Sequence, residues 1–141
     1  MIAADVNVLV AAYRPDAEFH APCRAWLEAR LASDEPLAVS ELVLSGFLRV
    51  TTHPRIFRPP EPWPRALAFA QAVQSAPQVI PLTPGPRHWE IFVRQCEAVQ
   101  ARGNLIADAY FAALAIEAGC EWVTLDGDYA RFPGLRWRRP F

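Results

Sequence analysis

Five acidic side chains stand where a carboxylate needs a reason. Asp5 interrupts the apolar opening MIAADVNVLVAAY, Glu41 follows PLAVS, Asp108 lies inside the apolar NLIADAYFAALAIEAG, and Asp126 and Asp128 flank Gly127 after EWVTL. A carboxylate buried without a partner costs on the order of several kcal/mol, because apolar neighbours cannot replace its hydration. Two bare carboxylates about 4 Å apart repel by about 4 kcal/mol at an effective dielectric of about 20, so four together need a cation. An all-oxygen set with no histidine or cysteine beside it favours a hard divalent ion, Mg²⁺ or Mn²⁺, over zinc. Such ions activate water and neutralise phosphate charge, which is the chemistry of phosphodiester hydrolysis.

Taken singly, each acid also has a structural use. Glu41 suits the positive N-terminus of a helix, and Asp108 can serve a helix dipole in the same way. Asp126-Gly127-Asp128 reads equally as a plain turn. Asp5, in an apolar strand, has the fewest such uses. Convergence in space has to separate the readings, and the elements that carry these acids are legible.

The opening run reads as a buried strand ending near Asp5 to Val8 and leading into helix, and Phe19, Cys23, Trp26, Leu27 and Leu31 recur at helical spacing over 17–32. PLAVS is a short strand whose Ser40 suits the cap of a helix ELVLSGFLRVTT, so that Ser40 sets where Glu41 begins. The segment 53–64 holds five of the fourteen prolines and is read as a loop or projecting arm. PRALAFAQAVQSA is helical with proline at its first position, QVIPL is a strand, and PRHWEIFVRQCEAVQAR is a helix stopped by Gly103. The Asp108 helix, the strand EWVTLD, a loop and a last strand LRW complete the chain. Strands alternating with helices predict an α/β fold, a parallel sheet with helices on both faces. Ligands in such sheets bind beyond the carboxyl ends of the strands, the edge at which Asp5, Glu41 and Asp126 would emerge and which Asp108 can reach.

The whole of 1–141, 52% hydrophobic and 21% charged, suits a single folded domain. No stretch approaches the roughly 20 apolar residues of a membrane span, and Asp5 without a basic leader makes the opening a poor signal peptide, so a cytoplasmic location is expected. Three widely spaced cysteines, Cys23, Cys96 and Cys120, predict neither disulfides nor a zinc knuckle. All fourteen basic residues are arginine. Arg49, Arg55, Arg58 and Arg65 have only Glu61 as an acid nearby and can meet phosphate with bidentate guanidinium groups.

At these residues the chain resembles the PIN-domain ribonucleases, specifically the VapC-type toxins of bacterial toxin-antitoxin pairs. The stretches DVNVLVAAY, SELVLSGFLRVTTHPRIF, GNLIADAYFAALAIEAG and TLDGDYARFPGLRW carry the resemblance in order over nearly the entire chain. It implies a PIN-like three-layer sandwich, with a parallel sheet of about five short strands between helices. It also implies that Asp5, Glu41, Asp108 and Asp126 are an acidic quartet binding Mg²⁺ or Mn²⁺, with Asp128 auxiliary, Asn7 orienting the site and Thr124 at a position where the family often has a hydroxyl. Val6 departs from the threonine or serine of many relatives. A homodimer, a VapB-type antitoxin and structured RNA, often tRNA, are further implications, with Arg49 to Arg65 a contact for RNA or antitoxin.

Rival classes fare less well. Metal-free cleavage by histidine needs a pair, whereas His20, His53 and His88 read as separate surface or capping positions. A receiver domain or a haloacid-dehalogenase-type phosphatase normally needs a lysine, and the chain has none. A non-cutting PIN-like module that binds RNA or a partner would be marked by a lost ligand, yet all four acids are present.

Overall fold

The computed structural model describes residues 1–141. Its centre is β1, Ile2–Ala4, three small or branched apolar residues that are all buried. On one side lie β2 (Leu37–Val39) and then β3 (Val79–Pro81), and on the other β4 (Glu121–Val123) and then β5 (Trp137–Arg138). All four pairings are parallel, and Ile2 sits opposite both Leu37 and Glu121. A central parallel strand is covered on both faces, so it reads as a continuous apolar run rather than an alternating one.

Six helices flank the sheet: α1 (Val6–Tyr13), α2 (His20–Leu31), α3 (Glu41–Thr51), α4 (Trp63–Gln74), α5 (His88–Val99) and α6 (Asn104–Ala118). No helix is long and apolar enough to cross a membrane. The core is continuous from β1 outward, with Leu9 of α1, Phe47 of α3, Leu114 of α6 and Trp122 of β4 fully buried. Trp122 stacks on Phe111 at 5.5 Å and meets Tyr129 at 5.7 Å. Cys23 and Cys120 are buried, Cys96 is half-buried, and all three thiols are free.

Several boundaries differ from the sequence reading. The strand at the start ends at Ala4, and helix begins at once, because the Asp5 side chain accepts the Val6 N–H at 2.7 Å and caps α1. Likewise β4 stops at Val123, and Asp126 instead caps a 3₁₀ turn, Gly127–Arg131. The second helix starts at His20 rather than 17, after a turn in which the His20 N–H reaches the Ala17 carbonyl. Gly103 does not stop α5. That helix ends at Val99, where Gln100 turns left-handed (φ 53°) and the Ala101 N–H bonds back to the Cys96 carbonyl at 2.9 Å. Gly103, at φ 55° and ψ −127°, opens α6 in a conformation that a side chain would strain.

The crossing of α1 and α3 fixes the helix that Asp5 caps. A Cβ added at Gly46 would lie 2.7 Å from Val6 Cγ2. Valine is stiff about χ1 and cannot swing away cheaply. Gly46→Ala should therefore lower the melting temperature, a loss of about 1–3 kcal/mol from overpacking against the roughly 1 kcal/mol that Gly→Ala gains in an open helix. Adding Val6→Ala should recover part of it. Equal or higher stability of Gly46→Ala in a thermal melt would show that the helices can move apart there.

Candidate active site

Asp5 is 5% exposed at the carboxyl end of the central strand. Three donors hold its carboxylate: the Val6 N–H on Oδ1, and on Oδ2 the Thr124 hydroxyl at 2.7 Å and the Asn7 amide at 3.2 Å. Thr124 is wholly buried, and its Oγ1 in turn accepts the Asp126 N–H at 3.0 Å. Asn7 accepts the Leu125 N–H at 3.0 Å. These bonds join the β1–α1 turn to the turn after β4, so that two segments far apart in sequence share one polar knot.

Burial is the largest influence on Asp5 and pushes its pKa up to about 6. The Thr124 and Val6 bonds pull the other way, and the charges of Asp108 and Asp126 push it further up. Asp108, in the second turn of α6, is also raised, first by burial and then by Asp126, with a smaller push from Asp128. The Tyr129 hydroxyl donates to Asp108 Oδ1 at 3.3 Å and works against that rise. Asp126 accepts the Asp128 N–H on Oδ1 at 2.8 Å.

Asp5, Asn7, Asp108 and Asp126 line one cavity of about 670 Å³ at the carboxyl edge of the sheet, together with Arg49. Glu41 is exposed at the first position of α3, just beyond β2, and lines a neighbouring groove of about 460 Å³ between α3 and α4. Arg49 borders both spaces. Asp128 is exposed and outside the cavity lining. Ser40 is buried, and its hydroxyl accepts the Leu42 N–H at 3.1 Å, capping α3.

The donors suit a hard divalent cation: all are carboxylates, Asp5 is held in place, and beyond the burial that chiefly raises the Asp5 and Asp108 pKa values, the neighbouring acid charges push both further up, a repulsion that a cation would relieve. As they stand, no three acidic, histidine or cysteine side chains are close enough together to form a coordination group.

Of the four arginines, Arg55 and Arg58 project from the proline-rich arm with no ion pair. Arg65 pairs with Glu61 at 3.2 Å, and Glu61 also meets Arg14 at 3.4 Å, so Arg65 is partly neutralised. The expectation for His88 is corrected: it is buried, not at the surface, and its Nε2–H donates to the Tyr110 carbonyl at 3.0 Å while its ring packs on Tyr110. Its place at the start of α5 disguised an inward-facing position. His20 donates to the Ala11 carbonyl and His53 accepts the Arg55 N–H, so the three histidines are engaged separately with backbone.

Sequence reasoning missed Tyr129 and the apolar side of the cavity, formed by Phe19, Ile56, Phe57 and Phe111. Tyr129 stands one 3₁₀ turn beyond Asp126, a spacing that signals proximity to that acid. The others come from three separate segments, and no local pattern unites them.

Residues 2–135 match the PIN domain family. Ribonuclease VapC25 of Mycobacterium tuberculosis H37Rv is 45% identical over 99% of both chains. Ribonuclease VapC31 of the CDC 1551 strain is 44% identical over 99% of both. Among solved structures, VapBC2 from Rickettsia felis bound to promoter DNA superposes with a TM-score of 0.70 at 17% identity, over 99% of this chain and 98% of the other. Mycobacterium tuberculosis VapC20, a sarcin-ricin-loop-cleaving toxin, gives 0.63 at 21% identity over 96% and 99%. Sequence and fold agree that the chain belongs to the PIN-domain family, in the group of the VapC ribonucleases.

Proposed function

We propose that this chain is an Mg²⁺- or Mn²⁺-dependent endoribonuclease, the toxin of a VapBC-type pair, acting in the cytoplasm on tRNA or other structured RNA. The observation that carries the reading is the buried Asp5 carboxylate, fixed by three donors and sharing one cavity with Asp108 and Asp126. Asp5, Asp108 and Asp126 would hold a divalent ion, with Glu41 and Asp128 at the same sheet edge, and when bound it would supply an activated water and neutralise phosphate charge. Thr124 and Asn7 keep Asp5 oriented, Tyr129 steadies Asp108, and Arg49 offers a guanidinium to a phosphate entering between the cavity and the groove beside it. A VapB-type antitoxin is the partner, and a homodimer is the assembly expected of a VapC-type toxin.

The test is cleavage of host RNA by the purified chain with Mg²⁺ or Mn²⁺, with excess EDTA, and after Asp5→Asn. Cleavage confined to the metal-loaded wild type supports the reading. RNA binding without cleavage under any condition would instead identify a non-cutting PIN-like module.

The arm carries a separate expectation. Arg55 and Arg58 are exposed and unpaired, so each can release a counterion on meeting a phosphate. Arg55→Ala with Arg58→Ala should weaken RNA binding and reduce the slope of log K against log[salt] by up to about 2, leaving metal binding intact. An unchanged slope would assign the arm elsewhere, with the antitoxin next to be tested.

A further inference from the structure

The cavity that holds the carboxylates extends well beyond them. Its other lining side chains include Val10, Phe19, Val50, Ile56, Phe57, Phe111 and Leu125, an apolar surface next to Asp5, Asp108 and Asp126 in one continuous space. Phosphodiester hydrolysis needs no apolar wall, and its volume of about 670 Å³ falls within the roughly 300–1,000 Å³ of sites that enclose a small ligand.

Two aromatic rings in that wall each carry a guanidinium group. The Arg14 guanidinium lies over the Phe57 ring at 4.3 Å. Arg14 is itself buried and fixed by Asp16 at 2.8 and 2.7 Å and by Glu61 at 3.4 Å. Phe19 carries the Arg139 guanidinium 5.9 Å from its ring and packs on Phe141 at 5.3 Å. The acids and the rings thus line one continuous cavity.

Resting on the reading of the chain as a nuclease, we propose that the aromatic part of this wall, with Phe57 as its platform, is a subsite for an unpaired nucleobase adjacent to the scissile phosphate. A base in a helix keeps its faces stacked on its neighbours, whereas a base splayed from a loop can lie on an aromatic ring. The subsite therefore selects RNA cut at unpaired positions. Arg14, which touches Phe57 and not Asp5, Asp108 or Asp126, is a positioning residue for it.

The test compares fluorescein-labelled octa-adenylate with an octamer of abasic ribose phosphates, equal in charge, by fluorescence anisotropy. The protein carries Asp108→Asn to suppress cleavage. Octa-adenylate should bind at least about fivefold tighter, the lower end of the effect of stacking one base on an aromatic side chain. That preference should shrink toward unity with Phe57→Ala, persist with Phe57→Trp, and be reduced by Arg14→Ala. Phe57→Leu, which keeps an apolar group in the wall, should lose the preference too while melting near the parent. Equal affinities for the two octamers, as expected of a wall kept for a protein partner, would overturn the proposal. So would a preference that survives Phe57→Ala and Phe57→Leu unchanged. Failure of the nuclease reading is seen separately, as wild-type protein that leaves RNA intact in Mg²⁺ and Mn²⁺ whatever the octamers show.

Discussion

Asp5→Asn should make the metal-free protein more stable at pH 7 while abolishing RNA cleavage. Burial raises the Asp5 pKa from 3.8 to about 6, so the folded state holds this proton more tightly than the unfolded chain. For an acid shifted in that direction, the stabilisation is complete below pH 3.8 and is lost as pH rises through about 6. At pH 7 the charge is almost fully present in both states, and the folded state bears a penalty of about 3 kcal/mol, from 1.36 kcal/mol per pKa unit. Asparagine removes that charge and still caps α1, since it is as good an N-cap as aspartate. Wild-type stability in EDTA should therefore fall between pH 4 and pH 6, and the mutant should lack that part of the fall. Denaturant melts at pH 4, 5, 6 and 7 measure both. A mutant that is less stable than wild type at pH 7 would mean that Asp5 serves the fold through its hydrogen bonds with Thr124, Asn7 and Val6.

Asp108→Asn should raise the melting temperature in EDTA and remove most of the rise that Mn²⁺ gives the wild type. Burial and the charges of Asp126 and Asp128 all disfavour a charged Asp108. The Tyr129 hydroxyl can still donate to the asparagine oxygen, so the change removes repulsion without orphaning a donor. An ion that binds only the folded wild type stabilises it by about 2.7 kcal/mol at a hundredfold excess over Kd, on the order of 5–10 °C for a chain of this size. A residue that merely served the dipole at the start of α6 would behave oppositely, costing about 0.3–1 kcal/mol with or without metal. A mutant that melts lower in EDTA yet keeps the full Mn²⁺ response would make Asp108 structural.

The parts of this fold that were legible were those written in local pattern. The short apolar runs, the Ser40 cap and the proline-rich arm mark out the alternating elements, and the strand-end rule puts Asp5, Glu41 and Asp126 on one edge that Asp108 can reach. What failed was local competition that pattern does not record. Asp5 and Asp126 both read as ends of strands, but each side chain captures a backbone N–H and starts a helical turn, two residues after β1 has ended and four after β4. Gly103 punctuates the chain as expected, yet Gln100 had already closed α5 in the left-handed conformation. Glu41 reached the right edge but faces the groove beside the cavity, because the first residue of a helix capped by Ser40 has its direction set by the helix rather than by the acids. The apolar wall of the cavity depends on tertiary contacts among α1, the turn before α2, the arm and α6, which one sequence does not disclose.

The most direct test of the acids as a hydrolytic centre is the chemistry of the RNA ends they leave. Cleavage by wild-type protein in Mn²⁺ and ¹⁸O-enriched water, followed by mass spectrometry of the fragments, should give 5′-phosphates carrying one solvent oxygen and 3′-hydroxyls, and no product in excess EDTA. Fragments ending in 2′,3′-cyclic phosphate, formed as readily in EDTA as in Mn²⁺, would mean that the ribose hydroxyl attacks and that Asp5, Asp108 and Asp126 do not activate water.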